Sequence, residues 1–247
     1  MGSSASFIFE AGMASAYLAL KLFLVFFVAK FIQPRWMLDR FASLIASWLM
    51  VQALQAGLIL ALSAVGLLYQ PYFLALMLIF AALVYWRSRM LTYRRESINS
   101  SWRDHPALLA IGGILVLMWL RSLFLYDFTW DAQTYGLPRL ALWLNSGSVF
   151  VHMPTLQLNL FVNEWNAELN ALTFALASGS YLGFAFGNLE VLLWLFVSVV
   201  WVARLLGAPA YWAIILSAVL GSAPAMIGLA SSIKGDLLAI TAFVIAV

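Results

Sequence analysis

The residue types that could carry out chemistry are concentrated between Asp127 and Glu168 of this 247-residue chain. This segment contains four acids and one base: Asp127, Asp131, Glu164, Glu168 and Arg139. A carboxylate can take a proton, and a guanidinium can bind an anion. The acids of this segment are therefore candidate general bases, and Arg139 is a candidate anion-binding group.

Three polar residues of this segment are spaced at intervals of four: Asp131, Tyr135 and Arg139. In a continuous helix these side chains would share one face. Pro138 disfavours such a helix, because an interior proline clashes with the carbonyl four residues earlier. The alternative is a helix that begins near Leu137, with Asp131 in the preceding turn. The sequence Asn-Ser-Gly at 145–147 predicts the end of this helix.

The rest of the chain has the composition of a membrane protein. Hydrophobic residues make up 65% of it and charged residues 9%, well below the quarter that is usual in soluble domains. The net charge of +3 is small and dispersed, which argues against nucleic acid as a partner. The chain has no cysteine and therefore no thiolate nucleophile. No cofactor is indicated; a divalent metal is compatible with the chemistry, but no sequence pattern points to one.

Helices must position the polar segment, because only runs of about 20 apolar residues span a bilayer as helices. Six runs qualify: Ala11–Ile32, Ala42–Leu68, Tyr72–Trp86, Pro106–Tyr126, Leu189–Arg204 and Tyr211–Met226. The final run, Leu237–Val247, has half the required length, and we expect the chain to be incomplete at its C-terminus. The expected fold is all-α, a polytopic transmembrane bundle. Residues 1–105 supply three spans and a basic cytoplasmic loop, and residues 106–247 supply the functional core.

Basic residues predict the orientation, since Lys and Arg are retained on the cytoplasmic side. They fall in alternate connections: Lys30, Arg35 and Arg40, then Arg87, Arg89, Arg94, Arg95 and Arg103, then Arg204. The external loop is consequently residues 127–187, and helices lying along the interface are expected in it. We expect one of them over Asn163–Ser178, with Leu172 and Leu176 toward lipid and Glu168 toward water. A short extra hairpin through the membrane is the alternative. Small residues such as Gly112-Gly113 predict close helix packing.

Charges inside spans are costly and mark candidate sites. Lys21 lies near the centre of the first span without an acid in that span, and it is expected to face another subunit. Arg121 lies near the outer end of the fourth span, where it could bind the phosphate or reach lipid headgroups. Glu190 marks the start of the fifth apolar run. Asp236 is either a second site acid or a partner of Lys234.

Three stretches carry a resemblance to a known family: WDAQTYGLPRLALWLNSGSVFVHMPT, NEWNAELNALTFALASGS and ASSIKGDLLA. Together they resemble the first external loop and the following helices of bacterial integral-membrane glycosyltransferases of the C-type superfamily. The resemblance covers roughly Pro106–Val247, and D-x-x-x-Y-x-L-P-R is its most specific part. It implies transfer of a sugar from a polyprenyl-phosphate carrier to an acceptor outside the cytoplasmic membrane. It also implies that Asp131 is the general base and that Glu168 is a second site acid.

The first hypothesis is thus a multi-pass glycosyltransferase of the bacterial inner membrane, with its site on the periplasmic side. Its partners are membrane lipid and the polyprenyl-phosphate sugar donor. Arg139 is expected to bind the phosphate, and Tyr135 or His152 to orient sugar or phosphate oxygens. The second hypothesis is a non-catalytic subunit of a larger membrane complex, derived from such an enzyme. Departures from the family pattern favour the second hypothesis, such as Gly136 where a histidine is usual.

Overall fold

The computed structural model describes residues 4–36, 39–89, 106–124, 137–151, 166–230 and 236–246. These residues form ten α-helices and no strand. The helices are α1 (Ser4–Trp36), α2 (Arg40–Ala64), α3 (Gln70–Arg89), α4 (Pro106–Phe124), α5 (Leu137–Ser146), α6 (Asn166–Ser178), α7 (Phe184–Leu205), α8 (Ala210–Ser222), α9 (Pro224–Ala230) and α10 (Asp236–Ala246). A 3₁₀ turn, Tyr181–Gly183, precedes α7. The predicted all-α bundle is confirmed.

Five of these helices, α1 to α4 and α7, are long and apolar enough to cross a membrane. They correspond to five of the six predicted spans. The sixth is broken, because α8 and α9 meet at a bend of 66° just before Pro224. A proline at a first helical position lacks an N–H that could continue the preceding helix, which accounts for a break at this point. The chain is therefore a multi-pass helical membrane protein.

Burial separates the spans into an inner helix and an outer set. In α7, 72% of the most apolar stretch is buried, against 17% in α3 and 22% in α4. The outer helices α3 and α4 expose large apolar side chains such as Leu78, Leu83 and Leu117. Exposed apolar side chains of this size are expected to contact lipid or a partner protein. The bundle is thus arranged around α7.

Helix α6 and the start of α7 form a tightly packed antiparallel hairpin. A Cβ on Gly183 would lie 2.4 Å from the carbonyl oxygen of Phe174, and one on Gly187 would lie 3.1 Å from the Cα of Ala171. Gly183 is the N-cap of α7 and Gly187 lies in its first turn, and both approach α6 so closely that the two backbones touch. Gly179, with φ of 68°, ends α6 and reverses the chain. The 13 residues of α6 span only about 20 Å, too short to cross a bilayer.

The predicted side-chain directions of α6 are wrong. Leu172 and Leu176 do not face lipid: they are buried in the main apolar cluster, and residues 171–178 are all buried. The reason is that α6 has apolar or small residues on every face, so it can be enclosed by α1, α3 and α7. The prediction that Gly112 and Gly113 allow close helix packing is also wrong, since no described atom lies within 4 Å of a Cβ built on either.

Hydrogen bonds between distant segments define the two ends of the bundle. The indole of Trp201 near the end of α7 donates to Asp39 at the start of α2 at 3.3 Å, so Arg40 and Arg204 share what we name the basic end. At the other end, the backbone N–H of Leu68 donates to the carbonyl of Gly147 at 2.9 Å. We name this the turn end; it comprises residues 65–70, 145–149 and 179–183. The predicted alternation of the connections agrees with this arrangement.

Candidate functional site

The site predicted from the sequence contains a buried ion pair. Nη1 of Arg139 lies 3.1 Å from Oε1 of Glu168, although the two residues are 29 positions apart. The side chains are only 2% and 7% exposed. The Arg139 guanidinium also lies over the ring of Trp143, 6.0 Å from its centroid. Arg139 and Glu168 thus form one unit. The prediction that Glu168 faces water is wrong, because its side chain is buried.

Helix α5 presents Arg139 in the way that its sequence predicts. The helix begins at Leu137, with Pro138 in its first turn, where the missing N–H costs nothing. It ends at Ser146, and Gly147 follows with φ of 65°. The expected helix start and stop are therefore both confirmed. Arg139, Leu140 and Trp143 form the buried face of α5, which packs on α6.

The ion pair lies inside the bundle and not at its turn end. Glu168 precedes Asn170 by two residues, and the Asn170 Oδ1 accepts from Lys21 Nζ at 2.9 Å. Glu10 of α1 lies beside residues of the turn end. Lys21 follows Glu10 by eleven residues, so it lies about 16 Å deeper along the axis of α1. Helices α5 and α6 therefore both start deep in the bundle and run outward to the turn end. Arg139 and Glu168 lie in their first turns, close to the level of Lys21.

A second buried ion pair joins Lys21 to Glu190, and both side chains are fully buried. The prediction that Lys21 faces another subunit is wrong, because its partner lies 169 residues later in the same chain. Glu190 does not merely mark the start of a span. Its Oε2 accepts from Lys21, and its Oε1 accepts from Trp48 Nε1 and Gln52 Nε2, each at 3.2 Å.

Four helices meet at the Lys21–Glu190 pair. Lys21 comes from α1, Trp48 and Gln52 from α2, Asn170 from α6 and Glu190 from α7. Asn170 also donates from Nδ2 to the carbonyl of Gly187 at 3.0 Å, which ties α6 to α7. The Lys21 ammonium lies 4.8 Å from the ring centroid of Phe174 as well. Both oxygens of the carboxylate are satisfied, as burial of such a charge requires.

The remaining predicted site residues are not brought together by the described part of the chain. Asp131, Tyr135 and His152 lie outside the described residues. Arg121 is half-buried in the last turn of α4 and forms no ion pair with another described residue. Asp236 is exposed at the start of α10, and this helix packs on α7, whereas α5 packs on α6.

Within the described ranges, no group of three or more His, Asp or Glu side chains could hold a metal ion. The arrangement at this site is a guanidinium held by a carboxylate at the starts of two short helices. Comparison of the chain with protein-family models, with curated proteins and with solved structures gives no match.

Proposed function

We propose that this chain is a membrane glycosyltransferase, which moves a sugar from a polyprenyl-phosphate carrier to an acceptor on the extracytoplasmic side of a bacterial inner membrane. The supporting observation is the Arg139–Glu168 ion pair. Each residue belongs to a different one of the stretches that resemble the C-type superfamily. Their contact brings the two stretches together, as a shared site would require.

In this proposal the Asp131 carboxylate takes the proton of the acceptor hydroxyl. The acceptor oxygen forms a bond to C1 of the donor sugar while the bond from C1 to the phosphate oxygen breaks. The electron pair of the broken bond leaves with the polyprenyl phosphate, whose charge Arg139 binds. A guanidinium carries five donors in a plane, so it can hold a carboxylate and a phosphate at the same time. Glu168 is then a positioning residue, and Tyr135 or His152 orients the donor.

The test is a transfer assay with purified protein in proteoliposomes that contain a radiolabelled polyprenyl-phosphate sugar. Asp131→Asn should abolish transfer while the protein inserts and elutes as the parent does, because an amide cannot accept the proton. Asp127→Asn is the matched control, as it removes an acid four residues earlier in the same segment. This control should retain transfer. Full activity in the Asp131→Asn protein contradicts the proposal.

A second candidate function is a non-catalytic subunit of a larger membrane complex. The observation that favours it is the burial of the Arg139–Glu168 pair, whose side chains are 2% and 7% exposed. A phosphate must reach the guanidinium for catalysis, whereas a structural pair has no such requirement. Purification from native membranes separates the two candidates: constant co-purification with stoichiometric partners, together with no transfer, supports the subunit.

A further inference from the structure

A cavity of about 470 Å³ opens at the turn end of the bundle. Its walls come from five parts of the chain: α1, the turn between α2 and α3, the end of α5, the end of α6 and the turn before α7. The volume falls within the range of small-molecule binding sites. Leu68, Leu144 and Leu176 supply apolar surface, and polar side chains complete the wall.

The polar side chains of the cavity are held in place by the fold. Gln70 donates from Nε2 to the carbonyl of Ala177 at 3.1 Å, and its amide lies against Gly179. The ring of Tyr69 occupies the space that a Cβ on Gly147 would need, 2.6 Å from the ring carbon. Gly147 and Gly179 both have positive φ, so the turns that carry these contacts suit glycine specifically. A wall fixed in this way binds a ligand with little loss of side-chain entropy.

The charged group among the described lining residues is the carboxylate of Glu10. It is half-buried in α1, and it forms no hydrogen bond or ion pair with another described residue. Among the described residues that line the cavity, none is a Lys or an Arg. An anionic ligand such as the phosphate of the donor would therefore meet a like charge, while an ammonium group would meet an opposite one.

We propose that this cavity binds a carbohydrate that carries an amino group. Tyr69 and Tyr181, each about two-fifths exposed, offer aromatic surface to a sugar ring. Gln70 and Asn145 supply amide groups for hydroxyls, and Glu10 binds the ammonium.

The cavity is within reach of the proposed transfer site. Asn145 follows Arg139 by six residues, or about 9 Å along α5. Leu176 follows Glu168 by eight residues, or about 12 Å along α6. The assignment of the cavity as an acceptor subsite rests on the proposed glycosyltransferase function. The binding of an amino sugar in the cavity does not depend on that function. An amino sugar bound in the cavity would thus be the acceptor, or the terminal residue of one.

Binding is measured by saturation-transfer difference NMR on the full chain in nanodiscs, with glucosamine, glucose, glucuronate and ethanolamine as probes. Glucosamine should bind most tightly and glucuronate least. Glu10→Gln should weaken the binding of glucosamine by about threefold, which is the effect of one partly exposed charge contact. The binding of glucose should not change. Asn145→Asp adds a second acid to the wall and should strengthen the binding of glucosamine. Arg87→Gln is the control for the net charge of Asn145→Asp, because both substitutions make the chain more negative by the same amount and Arg87 lies about 26 Å along α3 from Gln70.

Two results overturn the proposal: glucuronate that binds as well as glucosamine, or a preference for glucosamine that persists in Glu10→Gln. Ethanolamine that matches glucosamine would show that the cavity takes an ammonium from a lipid headgroup and not a sugar ring, which also overturns it. Because binding is read without turnover, a chain with no transferase activity can still bind glucosamine. If the protein catalyses transfer but does not bind glucosamine, only the proposed subsite is refuted.

Discussion

Replacing Lys21 by methionine leaves the carboxylate of Glu190 buried without its cation. Breaking a buried ion pair by removing one partner costs about 3 to 5 kcal/mol, because an uncompensated charge remains in the protein. Trp48 and Gln52 still donate to Glu190 after the substitution. We therefore expect Lys21→Met to destabilise the protein by about 3 kcal/mol, at the lower end of that range.

The double variant Lys21→Met with Glu190→Gln tests the cause. Glutamine keeps a carbonyl oxygen that accepts from Trp48 and Gln52, and it carries no charge. The double variant should therefore recover about 2 kcal/mol relative to Lys21→Met, a coupling within the range found for residues in contact. Lys30→Met is the matched control: Nζ of Lys30 lies 4.5 Å from the ring centroid of Phe26, and its removal should cost about 1 kcal/mol or less.

The assay is thermal unfolding of the detergent-solubilised protein, followed by circular dichroism at matched detergent concentration. A loss of about 3 kcal/mol corresponds to a fall in Tm of about 6 to 12 °C. The reasoning is refuted if Lys21→Met is as stable as Lys30→Met. It is equally refuted if the double variant is no more stable than Lys21→Met, because the charge left behind is then not the source of the loss.

Two further predictions concern packing and the second ion pair. Gly183→Ala should lower stability by about 1 to 3 kcal/mol, because its Cβ would lie 2.4 Å from a backbone oxygen, whereas Gly112→Ala meets no described atom and should be neutral or stabilising in the same thermal assay. Glu168→Gln should lower Tm more than Arg139→Met, because it leaves a buried cation at the positive end of α5, whereas Arg139→Met leaves an anion at the positive end of α6. Equal losses in the second comparison would show that the helix dipoles do not contribute.

The sequence predicts the spans well, because span length and hydropathy are local properties. Helix α5 is also predictable at both ends, since Pro138 and Gly147 set its limits by their own backbone geometry. The direction of α6 is not, because apolar and small residues occur all around it, and no stripe shows which face is buried. A pattern of this kind is compatible with a lipid-facing helix and with an enclosed one.

Pairing across the chain is the part of the site that the sequence could not supply. Lys21 and Glu190 were each recognisable as charges in apolar runs, yet 169 residues separate them and only the packing of α1 on α7 brings them together. Two features of the sequence indicate this packing: the glycines of Gly183-x-x-x-Gly187, which mark close backbone approach, and charges of opposite sign, Lys21 and Glu190, in different apolar runs. Matching charges of opposite sign between spans would have suggested the pair.

The first turns of α5 and α6 lie deep in the protein, and each holds one member of the Arg139–Glu168 pair. The N–H groups of a first turn have no intrahelical partner. Glu168 supplies negative charge to the start of α6, which is favourable, but Arg139 places a cation at the start of α5, which is not. The ion pair between them offsets that disadvantage, and Asn170 couples it through α6 to the Lys21–Glu190 pair. Two cations and two anions thus form a neutral set around α6.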